Sequence, residues 1–156
     1  MLYLRFLHFL GSALWIGGAI AALTVARSIS GLALDGRRPV WPHIAKLHGI
    51  VIAPGAVLTV LTGVLLTMNL VNRGASEVMA QPGMVIMQTA GLVAGVLALF
   101  VGVPTANQMA ALASEDAGPT ERISGLAARL RKRQAIASSV AGALALLALY
   151  GGTVIR

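Results

Sequence analysis

Four long apolar stretches, separated by short charged connections, constrain the fold of this chain more than any other feature. Each reaches the roughly 20 residues that a helix needs to cross a ~30 Å hydrocarbon core. Because the bilayer core offers the backbone no water, helices are the expected structure. The sequence therefore predicts an all-α membrane protein with one domain over residues 1–156, folded as an antiparallel bundle of four transmembrane helices. The stretches run over about Leu2–Ala26, Ile44–Leu70, Gly83–Ala106 and Ala135–Ile155.

The composition points to the same class of protein. Only 11% of the 156 residues are charged, whereas soluble domains carry about a quarter. The net charge is +7, and the basic residues cluster between the apolar stretches, which indicates membrane topology rather than a nucleic-acid surface. The predicted partner is thus a lipid bilayer, with no nucleic acid. The chain has no cysteine, which excludes disulfides, thiolate metal sites and cysteine nucleophiles.

The distribution of lysine and arginine predicts the orientation. Residues 27–46 carry four of them and residues 122–133 carry five, whereas Arg73 is the only one between helices two and three. Cytoplasmic connections carry the excess of positive charge. We therefore expect an integral protein of the bacterial inner (cytoplasmic) membrane with both termini on the periplasmic, outer side. A basic segment starting at Pro119–Glu121 is expected to run directly into helix four.

The stretch LRFLHFLGSALWIGG places a histidine inside the first apolar helix. At helical spacing, His8 shares a face with Gly11, Ser12, Trp15 and Gly18. An ionisable residue inside a membrane span is expensive to bury and is a functional hypothesis by default. The alternative is a histidine that is hydrogen-bonded to a neighbouring threonine, tyrosine or backbone carbonyl within a tightly packed bundle.

The depth of each histidine decides which residues it meets. At 1.5 Å per residue, His8 lies roughly 10 Å below the outer boundary, whereas His48 lies close to the inner one. A single cofactor held between the two is disfavoured, and His48 belongs to a second site or has a structural role. The residues expected at the level of His8 are Thr62 and Gly63 of helix two, Met87 or Gln88 of helix three, and Tyr150 of helix four.

The chemistry of these side chains suggests two ligands. Neutral imidazole and thioether both suit haem iron and copper. His8 and Met87 form a conceivable axial pair for haem b, and His8 with Met68, Met84 and Met87 a conceivable copper path. The alternative for the methionines is ordinary core filling, because methionine packs readily into irregular gaps.

Residue types and motifs that the apolar stretches lack restrict the function further. All five acidic residues, Asp35, Glu77, Glu115, Asp116 and Glu121, are expected in the connections. Proton relays and ion-coupled transporters use intramembrane acids. No phosphate-binding loop, Ser–His–Asp arrangement or HExxH motif occurs. The residues therefore favour a binding protein over an enzyme.

Two motifs resemble a superfamily of four-helix bacterial membrane proteins. A histidine followed by W-x-G-G in a first helix is present as His8, Trp15, Gly17 and Gly18. This resembles the membrane part of copper resistance protein D and the flavin-free, haem-associated protoporphyrinogen oxidase. The second helix resembles the oxidase pattern of a basic entry, a proline and a T-x-x-x-G-x-x-L ending, at Lys46, Pro54, Thr59, Gly63 and Leu66.

The resemblance implies a haem b or copper site at His8. It also shows a departure, because Gln88 occupies the position of the lysine that the oxidase family needs. The favoured function is a membrane protein that binds haem b through the histidine of the first helix and acts in electron transfer or in another haem-associated role. Copper handling, an accessory subunit of a membrane complex and an oxidase-like enzyme are alternatives, and an electron-transfer partner and a homo-oligomer are left open. The expected cofactor-binding residues are His8, Trp15, His48, Met87, Gln88 and Tyr150.

Overall fold

The computed structural model describes residues 1–114 and 120–154, and within those ranges every regular element is helical and no strand occurs. The α-helices of this part of the chain are α1 (Leu2–Ser28), α2 (Leu34–Arg37), α3 (Trp41–Leu47), α4 (Ala53–Asn72), α5 (Ser76–Met79), α6 (Pro82–Leu97), α7 (Val103–Ser114) and α8 (Thr120–Thr153). A short 3₁₀ turn over Arg38–Val40 joins α2 to α3.

Among the described residues, four helical segments are long and apolar enough to cross a membrane, in agreement with the predicted number and class. They are longer than the apolar stretches in the sequence, because helix continues into the polar flanks. The predicted passage of the basic segment into helix four is confirmed, since α8 is continuous from Thr120. The predicted end at Ile155 lies outside the described residues. The segments are Leu2–Ser28, Leu34–Asn72, Pro82–Ala113 and Ile123–Thr153.

Three of the acidic residues expected in the connections lie there in helical turns. Asp35 lies in α2, Glu77 in α5, and Glu121 in the first turn of α8. The reason is local, because α2 and α5 are four-residue helices formed inside the connections. Glu115 and Asp116 fall outside the described residues. The interiors of the four long segments still contain no carboxylate.

A π-helical turn interrupts the second and the third long segment, each time just before a proline. One turn covers His48–Ile52 ahead of Pro54, and the other covers Ala98–Gly102 ahead of Pro104. A proline has no N–H to donate, and its ring clashes with the carbonyl four residues earlier. A locally widened turn accommodates both effects. Pro54 is therefore preceded by a π-turn, and His48 is the first residue of that turn.

Glycines allow the long helices to pack closely in two pairs, α1 with α4 and α6 with α8. A Cβ added to Gly11 would lie 2.8 Å from Thr59 Oγ1, and one on Gly55 would lie 2.7 Å from the Trp15 backbone nitrogen. In the second pair, a Cβ on Gly151 would lie 2.7 Å from a backbone oxygen of α6. Small residues of this kind let membrane helices approach to backbone contact. The buried core between the pairs comprises Trp15, Ala22, Ile52, Ala56, Ala94, Ala98 and Ala145.

Candidate functional site

His8 is fixed by hydrogen bonds to helix α4. Its Nδ1 lies 2.9 Å from the Thr59 carbonyl oxygen and 3.1 Å from Thr62 Oγ1. A carbonyl only accepts, so Nδ1 carries the proton and donates. The Thr62 hydroxyl donates to the Leu58 carbonyl oxygen at 2.6 Å, which leaves its oxygen free to accept from His8. Thr62 and Gly63, the neighbours predicted on helix two, both contact the imidazole.

The second ring nitrogen of His8 is available for a ligand. Nε2 forms no hydrogen bond with any residue that the structure describes. Because Nδ1 holds the proton, Nε2 presents a lone pair. Histidines that bind metals commonly donate their other N–H to a carbonyl or carboxylate, which fixes the tautomer and the orientation of the ring. The Thr59 carbonyl provides that contact here.

Two adjoining cavities meet at His8. The His8 cavity, of about 350 Å³, lies between α1, α4, α6 and α8. The His8 groove, of about 320 Å³, lies between α1, α4 and α6. Both volumes fall within the usual range for small-molecule sites. They share the lining residues His8, Thr59, Gly63, Thr67, Met87 and Gly91.

Small residues create the space beside His8. A Cβ on Gly63 would lie 3.2 Å from His8 Cε1, and one on Gly152 would lie 3.2 Å from the Met87 sulfur. Trp15, which is only 4% exposed, lines the His8 cavity and belongs to the buried core. Larger residues at either glycine would meet the imidazole or the thioether. The site thus has apolar walls and one ring nitrogen without a protein partner among the described residues.

The structure brings some of the predicted site residues together and leaves others apart. Met87 lines both the cavity and the groove, Met84 lines only the cavity, and Met68 lines only the groove. Gln88 lines the groove, and its amide donates to Thr67 Oγ1 at 3.0 Å across α4 and α6. Tyr150 is 62% exposed and lines neither space. Its ring therefore does not lie at the site, although the sequence predicted it there.

His48 lies in a third space, which we call the His48 cavity, at the basic end of the helices. Its Nδ1 donates to the Ile44 carbonyl oxygen at 2.9 Å, so its Nε2 accepts from the Gln134 amide at 2.8 Å. Gln134 Oε1 is buried with no partner among the described residues. None of the described cavities is lined by both His8 and His48. The hydrogen bond between Gln134 and His48 joins α8 to the π-turn before α4.

The His48–Gln134 pair predicts coupled stability effects. We expect His48→Leu and Gln134→Leu each to destabilise the protein by about 1–3 kcal/mol, because each leaves a buried polar partner unpaired. The double variant should lose less than the sum, with a coupling of roughly 0.6–1.7 kcal/mol, as for other interhelical hydrogen bonds in membranes. Reversible unfolding of all four proteins in detergent measures the coupling. Strict additivity would show that the two side chains do not stabilise each other.

The partner of His48 was missed at the level of sequence. Gln134 follows the basic run RLRKR, which reads as a solvated helical face. The signal was the helical continuity of that run with helix four, which carries position 134 into the span. Arg5, which lines the His8 cavity one turn before His8, was also missed. The i, i+3 spacing of Arg5 and His8 was the available clue.

No group of three or more His, Cys, Asp or Glu side chains that could hold a metal occurs among the described residues. A metal at His8 would therefore depend on a prosthetic group or on methionine sulfur. Over the part of the chain that the structure describes, fold and site together define a helical protein with four helices long and apolar enough to cross a membrane and a histidine-lined cavity between them. Comparisons with protein-family models, curated proteins and solved structures find no match.

Proposed function

We propose that the four long segments form an antiparallel bundle in a bacterial inner membrane, with both termini on the outer side. The contacts between α1 and α4 support this arrangement, since Gly18 meets Ile52 whereas His8 meets Gly63. The same inverse order relates α6 to α8, where Gly91 meets Ala148 and Met87 meets Gly152. The excess of basic residues in the first and third connections supports the orientation.

The absence of cysteine offers a direct test of this topology. We introduce Ala75→Cys between α4 and α5 and, as the matched position, Gly31→Cys after α1, where a Cβ meets no atom within 4 Å. In intact spheroplasts, a membrane-impermeant maleimide should label position 75 and not position 31. Permeabilisation should expose position 31. Labelling of position 31 in intact spheroplasts would invert the proposed orientation.

We further propose that the protein binds haem b through His8 Nε2 in the His8 cavity. The observation that carries this proposal is the donation of Nδ1 to the Thr59 carbonyl, which leaves Nε2 as a free acceptor on a cavity wall. A haem held there would supply one-electron chemistry at its iron. The resemblance to the copper resistance protein D and protoporphyrinogen oxidase superfamily belongs to the same proposal.

Other residues suit a group of this shape and charge. Arg5 lines the same cavity as His8 and would pair with a propionate by charge-assisted hydrogen bonds. Met87 lines the cavity and the groove, and a thioether suits a sixth ligand to haem iron. Trp15 and the glycines provide apolar, open walls. Gln88 is already hydrogen-bonded to Thr67. It therefore stabilises the packing of α4 on α6 and does not pair with a charged group of the haem.

Metal analysis of the purified protein tests the haem proposal against its nearest rival. Protein from haem-replete cells should contain about one iron per chain, extractable as haem, and no stoichiometric copper. Stoichiometric copper without iron would remove the haem proposal.

Copper handling is the second candidate function, because imidazole and thioethers share one cavity. His8, Met84 and Met87 all line the His8 cavity, and Cu(I) prefers such soft ligands. Copper binding and haem binding should differ in how much they depend on these methionines. Met84→Leu with Met87→Leu should abolish copper binding, whereas haem would still be held by His8. Met79→Leu, a methionine of α5 outside the described cavities, is the control.

A further inference from the structure

The His48 cavity, of about 570 Å³, is the largest described space in the protein and lies away from His8. It is lined by residues of α1, α2, α3, α7 and α8. Much of its wall is apolar, contributed by Ala22, Ala26, Ile44, Ala106 and Met109. A cavity of this size exceeds what side-chain packing requires. It is large enough for part of an amphipathic molecule.

Four cationic side chains line the same cavity. Arg27 comes from the last turn of α1, Arg37 from α2, and Arg131 and Lys132 from α8. The Arg37 guanidinium donates to the carbonyl oxygens of Ser30 and Leu32, both at 2.6 Å, and is thereby held in place. None of the four forms an ion pair with a carboxylate of the described residues. The positive charge is therefore concentrated at one apolar space without a described counter-ion.

The cavity also reaches the outer surface of the long segments, the side that would face acyl chains in a membrane. Leu23, Ala135 and Ser139, which line it, are exposed at the surface of the long segments. Arg27 stands one residue before the end of the first segment, at the level where headgroups lie. A ligand can thus place an anion among the cations and a hydrocarbon chain along the apolar wall. A free anion would occupy only the cationic part of the site and would leave the apolar wall uncovered.

We propose that the His48 cavity binds one acidic phospholipid from the surrounding leaflet. Its phosphate pairs with Arg27, Arg37, Arg131 and Lys132, and one acyl chain lies against the apolar wall between α1 and α8. Basic pockets between transmembrane helices bind acidic headgroups in this way, and arginine matches phosphate oxygens by bidentate hydrogen bonds. The proposal does not depend on haem or copper at His8.

Lipid titration of the purified protein in neutral detergent tests the site. The probes are phosphatidylglycerol, phosphatidylcholine with the same acyl chains, and inorganic phosphate, and the readouts are native mass spectrometry and the thermal unfolding midpoint. We expect one tightly bound phosphatidylglycerol and a higher midpoint, and neither effect from the other two probes. Equal binding of both lipids would overturn the proposal. Equal stabilisation by inorganic phosphate would identify a free-anion site instead.

Matched variants locate the binding. Arg27→Gln with Arg131→Gln removes two charges from the cavity, whereas Arg129→Gln with Arg133→Gln removes two exposed charges that do not line it. The first pair should weaken phosphatidylglycerol binding about tenfold or more, and the control should bind as the wild type does. Equal loss in both pairs would overturn the site. Arg131→Gln alone serves if the first pair does not fold, with a severalfold loss expected and no loss contradicting the proposal.

Discussion

Replacing His8 with alanine is expected to abolish haem binding. Protein purified from haem-replete cells should lose its Soret absorption, because the cavity would retain no imidazole to bind the iron. His43→Ala is the control, since His43 is exposed and bonds only to the Pro39 carbonyl near the basic end of the helices. Absorption spectra normalised to protein concentration measure the effect. An unchanged Soret band in His8→Ala would contradict the assignment of the ligand.

A second variant separates loss of the ligand from loss of the fold. His8→Gly leaves a space beside Gly63, whose own lack of a side chain already opens the site. Imidazole added to this variant should restore the Soret band, because the free molecule can occupy the place of the missing ring. Restoration also requires an intact cavity. Failure of imidazole in a variant with a wild-type unfolding midpoint would count against His8 as the ligand.

Substitutions at the glycine contacts are expected to produce the largest losses of stability. Gly55→Ala places a Cβ 2.7 Å from the Trp15 backbone nitrogen, and Gly151→Ala places one 2.7 Å from the Gly83 carbonyl oxygen. Neither backbone atom can move without separating two helices, so we expect a loss of about 1–3 kcal/mol for alanine and more for leucine. The thermal unfolding midpoint in detergent measures the effect.

Glycines with free space in α1, the partner helix of α4, and in α8 provide the controls. A Cβ on Gly17 of α1 or on Gly142 of α8 meets no atom within 4 Å. Alanine there should leave stability unchanged or raise it by up to about 1 kcal/mol, because alanine is the better helix former. If Gly55→Ala matched Gly17→Ala, the close helix contacts would not be stabilising the protein.

The helices and their number could be predicted from the sequence because the bilayer permits few alternatives. Spans of about 20 apolar residues with basic connections leave one reasonable interpretation. The exact ends could not be predicted, because helix continues into polar residues that an apolar count excludes. The second long segment begins at Leu34, well before the predicted Ile44. The start of α8 at Thr120 was predicted from the basic segment, and it brings Gln134 to His48 and Arg131 to the His48 cavity.

The contacts of His8 could be predicted only on α4, the helix that packs directly against α1. Depth alone placed Thr62 and Gly63 beside it, and both make contact. Depth says nothing about the rotation of a helix around its axis. Tyr150 therefore lies on the exposed face of α8 and not beside His8, although its depth was predicted to match. Met87 of α6, predicted by the same argument, does line the cavity.

The absorption spectrum of the wild-type protein, recorded oxidised and after reduction with dithionite, tests the central claim most directly. The account predicts a Soret band together with visible bands that sharpen on reduction, as for a haem b with a histidine ligand. Both should disappear in His8→Ala and persist in His43→Ala. A colourless wild-type protein from haem-replete cells, folded and free of bound iron, would contradict the proposed function.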